Sequence, residues 1–252
     1  MFGFGFGIWM NTLRWEDVTI KYVVNGLINV SLVRIFWFFI PLYIVYLSIP
    51  LFSAVEEEKR KSVFVYIRVV GFLLNVLIPF LAGFTYWIPD NGSLRLYVTM
   101  SYLLYMVVGW LLHTQETKKL YRIVLYILAI LGLFLHMFGT YFLSMRDGNV
   151  NGTYKGYNNV SCILYSIGVF LFFKQIGPKV MRVKWIRKVV TFLNQYMFCV
   201  YLMHWFVLTA ILRFVKINTT FISWRLIAPF GIVAISIGII CIIRKIPILR
   251  RV

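Results

Sequence analysis

The chain has 252 residues, of which 61% are apolar and 13% are charged. A water-soluble domain of this size needs more charged residues to cover its surface, so the composition excludes a soluble globular enzyme. Lys and Arg outnumber Asp and Glu by 26 to 8, which gives a net charge of +18. In a membrane protein such an excess sets orientation and contacts anionic lipid, so we expect membrane lipid and no nucleic acid as a partner.

A membrane helix needs roughly 20 apolar residues, and seven runs of about that length follow one another along the chain. They cover residues 36–55, 63–84, 94–112, 120–144, 158–176, 190–214 and 225–243. The sequence therefore predicts an all-α, polytopic membrane helical bundle with about seven transmembrane helices. Because no repeat or linker divides it, we expect one membrane domain over 1–252: an interfacial N-terminal segment over 1–35, spans over 36–243 and a tail over 244–252.

Basic residues are distributed unevenly between the two predicted sides of the membrane. Seventeen Lys and Arg follow the first, third, fifth and seventh spans, and nine lie on the other side. The positive-inside rule then predicts a cytoplasmic C-terminus and an N-terminus outside. Since the chain begins without a recognisable signal peptide, we expect it to be completed by further N-terminal spans or by a partner such as a second copy.

Two histidines are the candidates for chemistry inside the spans, His136 and His204. Each either packs two helices together as a neutral imidazole or acts as a general base, and His204 is our candidate catalytic residue. All eight carboxylates lie in predicted loops, which disfavours an ion-coupled transporter. The three cysteines show neither a C-x-x-C pair nor a metal-ligand spacing with histidine, so we expect no metal.

A basic loop between the fifth and sixth spans is the candidate binding site for a phosphate-bearing substrate. It carries Arg182, Lys184, Arg187 and Lys188. Such a cluster suits the phosphates of a cytoplasmic donor such as a coenzyme A thioester. In most membrane proteins such a cluster fixes orientation and contacts lipid headgroups, and charge alone does not separate the two.

Three segments resemble, in the same order, motifs of the acyltransferase-3 family of integral membrane acyltransferases. The mid-chain span of the family resembles LVRIFWFFIPLYIVYLSIPLFSAV, with Trp37 and Pro50 at matching places. The Y-x-x-x-G span resembles SYLLYMVVGWLL, which carries Tyr105. The penultimate span resembles NQYMFCVYLMHWFVL, with Tyr201 and His204 in place.

The resemblance implies transfer of an acyl group from acyl-CoA to a cell-surface or exported saccharide, in the bacterial cytoplasmic membrane. It also implies about ten spans in a full-length member, with the main catalytic histidine in a first span that has no counterpart here. This chain is then the C-terminal, seven-span portion of such a protein, either inactive alone or completed by another chain. The alternatives are a non-enzymatic polysaccharide-export or membrane scaffold subunit and, by span number only, a seven-span receptor.

Overall fold

The computed structural model describes residues 19–28, 34–83, 88, 91–96, 102–215 and 218–245. These residues form helices and short connections, with no β-strand among them. The prediction of an all-α membrane protein is therefore confirmed. Much of the predicted N-terminal segment (1–18 and 29–33) and the end of the tail (246–252) lie outside the described residues.

Eight helices follow one another in the described part of the chain. They are α1 (Ile20–Ile28), α2 (Phe39–Ser53), α3 (Glu57–Ala82), α4 (Leu103–Thr114), α5 (Lys119–Asp147), α6 (Val160–Val180), α7 (Lys184–Phe214) and α8 (Ile222–Ile243). One π-helical turn interrupts α3 at Leu73–Leu77 and another interrupts α5 at Leu135–Gly139. Such turns open the regular backbone ladder and are frequent near functional sites.

Six of the described helical segments are long and apolar enough to cross a membrane, and they correspond to six of the seven predicted spans. The helix at the third predicted span, α4, is shorter. It has 12 residues, which is about 18 Å at 1.5 Å per residue, against a hydrocarbon core of about 30 Å. The start of this predicted span is not helical in the same way, because Leu94 ends a 3₁₀ turn at Gly92–Leu94 and Arg95 after it is extended.

Backbone contacts divide the chain into two compact units. The first unit is Met1–Phe39 with Val180–Val252, and the second unit is Ile40–Lys179. A single membrane domain over 1–252 therefore stays a prediction.

The core of the second unit lies between α3, α4, α5 and α6. Its buried apolar side chains include Val76 on α3, Val108 on α4, Leu125 on α5 and Ile163 on α6. Arg68, in the first half of α3, lines a cavity with the connection 115–118, whereas Phe80, near the end of α3, lines a cavity with the connection 148–159. One end of this unit therefore carries the connection 115–118, and the other end carries the connection 148–159.

The core of the first unit is smaller and lies between α7 and α8. Cys199 and Val200 of α7 pack against Ile240 of α8. The beginning of α2 also packs on α7, since the Phe39 ring lies edge-on to Tyr201 at 5.9 Å between ring centres. Arg244, just after α8, stacks over the Tyr196 ring at 4.6 Å and so ties the end of α8 to α7.

Candidate functional site

A cavity lined by several polar side chains lies at the 148–159 end of the second unit. It has a volume of about 520 Å³, within the usual range of ligand pockets. Aromatic and amide side chains line it together, among them Phe80, Arg146, Asn151, Tyr154, Asn158 and Asn159. We call it the amide cavity.

The loop that forms one wall of the amide cavity is held by its own side chains. The Asn151 side-chain oxygen, Oδ1, accepts from the Thr153 backbone N–H at 2.9 Å. The Asn159 amide donates to Thr153 O at 2.9 Å, while its oxygen accepts from the Ser161 backbone N–H at 3.1 Å. Because these amides serve the loop, they fix its shape before any ligand binds. The Asn158 side chain is exposed and makes no hydrogen bond to a described residue, so it is available to a ligand.

His136 lies directly behind this wall, at the π-helical turn of α5. Its Nδ1 is 2.9 Å from Tyr154 O, and because a carbonyl only accepts, Nδ1 carries a proton, which in the neutral ring leaves the lone pair on Nε2. The same carbonyl accepts from Ser161 Oγ at 2.9 Å. Gly139 lets the Tyr154 ring lie on the helix, since an added Cβ there would come within 2.7 Å of the ring. The His136 ring thus positions the Tyr154 backbone.

The opposite end of the second unit is held by a lysine. The Lys174 ammonium, on α6, donates to the backbone oxygens of Leu112, His113 and Gln115, at 2.9 Å for His113 and 3.1 Å for Gln115. Leu112 and His113 lie in the last turn of α4, and Gln115 directly follows it. Carbonyls at a helix C-terminus have no partner within their own helix and carry the negative end of its dipole. Lys174 therefore acts as a C-terminal cap supplied from a distant helix.

His204, the candidate catalytic residue, lies in the first unit near the middle of α7. It is partly buried, and its Nδ1 is 3.1 Å from Val200 O on the preceding turn. The Tyr201 ring lies beside it at 5.8 Å between ring centres. As for His136, a carbonyl partner leaves the lone pair on Nε2, the nitrogen that a general base needs. Its catalytic role stays a prediction.

The predicted basic site lies at the beginning of α7. Arg182 is in the turn before the helix, and Lys184, Arg187 and Lys188 are in its first two turns. All four are exposed and make no ion pair or side-chain hydrogen bond with a described residue. Their charges are therefore available to an anion.

Several polar residues that sequence reasoning passed over have specific partners. Asn75, at the π-helical turn of α3, donates to Leu96 O at 2.7 Å and accepts from Leu96 N at 2.8 Å. In the sequence, Lys174 was only one of the basic residues whose distribution predicts the orientation in the membrane. Both Asn75 and Lys174 are polar residues at or near an apolar run, where lipid gives a side chain no partner, and this pattern could have identified them.

No three His, Cys, Asp or Glu side chains of the described residues lie close enough to hold a metal ion.

Comparison with known families agrees with this architecture. Residues 1–244 match the family model of the acyltransferase-3 type, described as an acyltransferase domain. No curated protein and no solved structure matches the chain significantly. Because the match covers nearly all of the chain, and the helices are long and apolar enough to cross a membrane, the chain is an integral membrane protein that belongs to the acyltransferase-3 family.

Proposed function

We propose that this membrane acyltransferase moves an acyl group from acyl-CoA to a cell-surface or exported saccharide in the bacterial cytoplasmic membrane. The amide cavity carries the proposal. Sugars are bound by aromatic faces and by amide and guanidinium hydrogen bonds, and Phe80, Arg146, Tyr154 and Asn158 supply both kinds of group in one place. The charge distribution predicts that this end of the second unit faces outward, where such a saccharide lies.

In this proposal the acyl-CoA donor binds on the cytoplasmic side of the membrane. The exposed cluster of Arg182, Lys184, Arg187 and Lys188 would pair with the phosphates of coenzyme A. In the transfer, a sugar hydroxyl attacks the thioester carbonyl carbon and the carbon–sulfur bond breaks. The hydroxyl proton passes through an imidazole to the departing thiolate, so atoms and charge balance. Within this chain His204 is the proposed imidazole.

Saccharide binding at the amide cavity is tested with Asn158→Ala. We expect one or more sugars of a panel (glucose, galactose, N-acetylglucosamine, rhamnose) to give saturation-transfer NMR signals with the purified chain in detergent. Loss of one hydrogen bond should weaken that binding about fivefold. Asn149→Ala is the matched control, because Asn149 is exposed on the same loop and does not line the cavity. Equal binding by both variants, or no signal from any sugar, would contradict the assignment.

The role of His204 is tested by acyl transfer from acetyl-[¹⁴C]CoA in proteoliposomes, with the saccharide selected by the binding experiment. We expect His204→Asn to lower the transfer rate about 100-fold, which is the usual contribution of a general base. His113→Asn serves as the control, since His113 lies exposed at the end of α4. A chain that binds sugar but transfers no label, with or without His204, would favour the non-enzymatic scaffold.

A further inference from the structure

Two adjoining cavities lie at the 115–118 end of the second unit. One is polar and has a volume of about 230 Å³, and the other is almost wholly apolar and has a volume of about 280 Å³. The apolar cavity extends between α3, α4, α5 and α6. Both cavities are lined by the same three residues, Arg68, Leu112 and Tyr121. These residues therefore mark the boundary between a polar and an apolar compartment.

Arg68 is the feature that needs an explanation. It lies on α3, about three turns after the first residue of the helix, and so within the membrane-spanning segment. A guanidinium stays charged under all physiological conditions and is costly to hold in lipid unless an anion pairs with it. Arg68 makes no ion pair or hydrogen bond with a described residue. The described protein therefore leaves its charge unneutralised.

A second hydrogen-bond donor in the polar cavity also lacks an acceptor. The Gln115 side chain lines the polar cavity, and its Nε2 is buried without a hydrogen-bond partner among the described residues. A buried donor left without a partner is costly, so a ligand oxygen there would stabilise the site. Lys118 lines the same cavity and adds positive charge, while Glu116 adds one negative charge. The balance of the four residues still favours an anion.

The apolar cavity opens toward the lipid-facing surface of the helices as well as toward the connection 115–118. Val69, Leu73 and Tyr121 line it and keep 45%, 42% and 49% of their surface exposed. On a membrane-spanning helix such exposed apolar surface faces lipid chains. Cavities lined by apolar side chains stay dry, so a hydrocarbon chain is a better occupant than water. A molecule of the bilayer can therefore reach the cavity directly.

We propose that these two cavities form a binding site for one anionic phospholipid of the adjacent leaflet. Its phosphate oxygens accept hydrogen bonds from Arg68 and Gln115 at the boundary. One of its acyl chains enters the apolar cavity between α3 and α5. The bound lipid neutralises Arg68 and fills the space between the helices. This site is independent of the saccharide and donor sites proposed above.

The test is native mass spectrometry of the purified chain in a neutral detergent. We expect phosphatidylglycerol to remain bound and diacylglycerol, which has the same chains without the phosphate, to be lost. Arg68→Gln should weaken phosphatidylglycerol binding about tenfold. Arg122→Gln is the matched control, because Arg122 lies on the same side of the unit but lines neither cavity.

Two further variants keep the proposal testable if Arg68→Gln does not fold. Gln115→Leu removes the buried donor and should weaken binding several-fold. Ile167→Trp fills the apolar cavity that Ile167 lines, and it should exclude the lipid chain. Unchanged lipid binding in folded variants, or equal retention of diacylglycerol, would overturn the proposal. Displacement of the lipid by equimolar palmitoyl-CoA would overturn the lipid assignment in favour of a thioester.

Discussion

Replacing Gly168 by leucine is expected to prevent the second unit from folding stably. An added Cβ at Gly168 on α6 would lie 2.3 Å from the Ala129 Cβ on α5, far inside van der Waals contact. The two helices also meet at Gly132, where a Cβ would come within 2.9 Å of Ser161 O. Between membrane helices there is no hydrophobic driving force, so close packing of small residues is what holds them. The loss should be about 3 kcal/mol or more.

Detergent-solubilised variants compared by size-exclusion chromatography and thermal unfolding give the measurement. Gly177→Leu is the matched control, because Gly177 lies on the same helix and a Cβ there meets nothing within 4 Å. The exchanged pair Gly168→Ala with Ala129→Gly should recover most of the stability that Gly168→Ala alone loses, since it moves the methyl group to the other helix. Equal unfolding temperatures for Gly168→Leu and Gly177→Leu would show that α5 and α6 do not pack this closely.

Lys174→Met is expected to destabilise the second unit by about 3 kcal/mol, because an ammonium that binds several carbonyls is lost. The carbonyls of Leu112 and His113 in the last turn of α4, and of Gln115 just after it, would lose this donor. Methionine has a similar length and keeps the apolar contacts of the stem. The effect should therefore report the charge and its hydrogen bonds.

Hydrogen–deuterium exchange locates the effect. We expect faster exchange in the last turn of α4, although the substitution is on α6. Lys174→Arg should recover part of the protection because guanidinium also donates to carbonyls. Lys179→Met is the control, since Lys179 is exposed near the end of the same helix and has no described partner. Unchanged exchange in α4 after Lys174→Met would show that the cap does not stabilise it.

Chain composition and the spacing of apolar runs were enough to predict which segments are helical. The last predicted span, 225–243, differs from α8 only at its beginning, because α8 starts at Ile222. The third span was placed least well. Its predicted beginning fell on residues from 94 onward, but Leu96 forms its hydrogen bonds with the Asn75 side chain on another helix. Hydropathy reports burial in lipid and carries no information on such a distant partner.

For the candidate site too, the sequence identified some of the residues but not their partners. His204 and the basic residues from Arg182 to Lys188 could be selected from sequence because polar groups are conspicuous in an apolar chain. The contacts that each of these residues makes could not be predicted from sequence. Lys174 counted as a charge that sets orientation, yet it caps α4. Arg68 counted likewise, yet it lies inside α3 at the boundary of two cavities.

By itself, the sequence determined that this protein is an all-α membrane protein and the order of its apolar segments. The reason is local: in lipid every backbone N–H and C=O needs a partner, and a helix supplies nearly all of them from within the same segment. Only the tertiary structure decided where the amide cavity forms, which carbonyls Lys174 binds and that the Gln115 Nε2 is buried without a partner among the described residues. These features depend on side chains that meet across tens of residues, and their positions follow from how the helices pack.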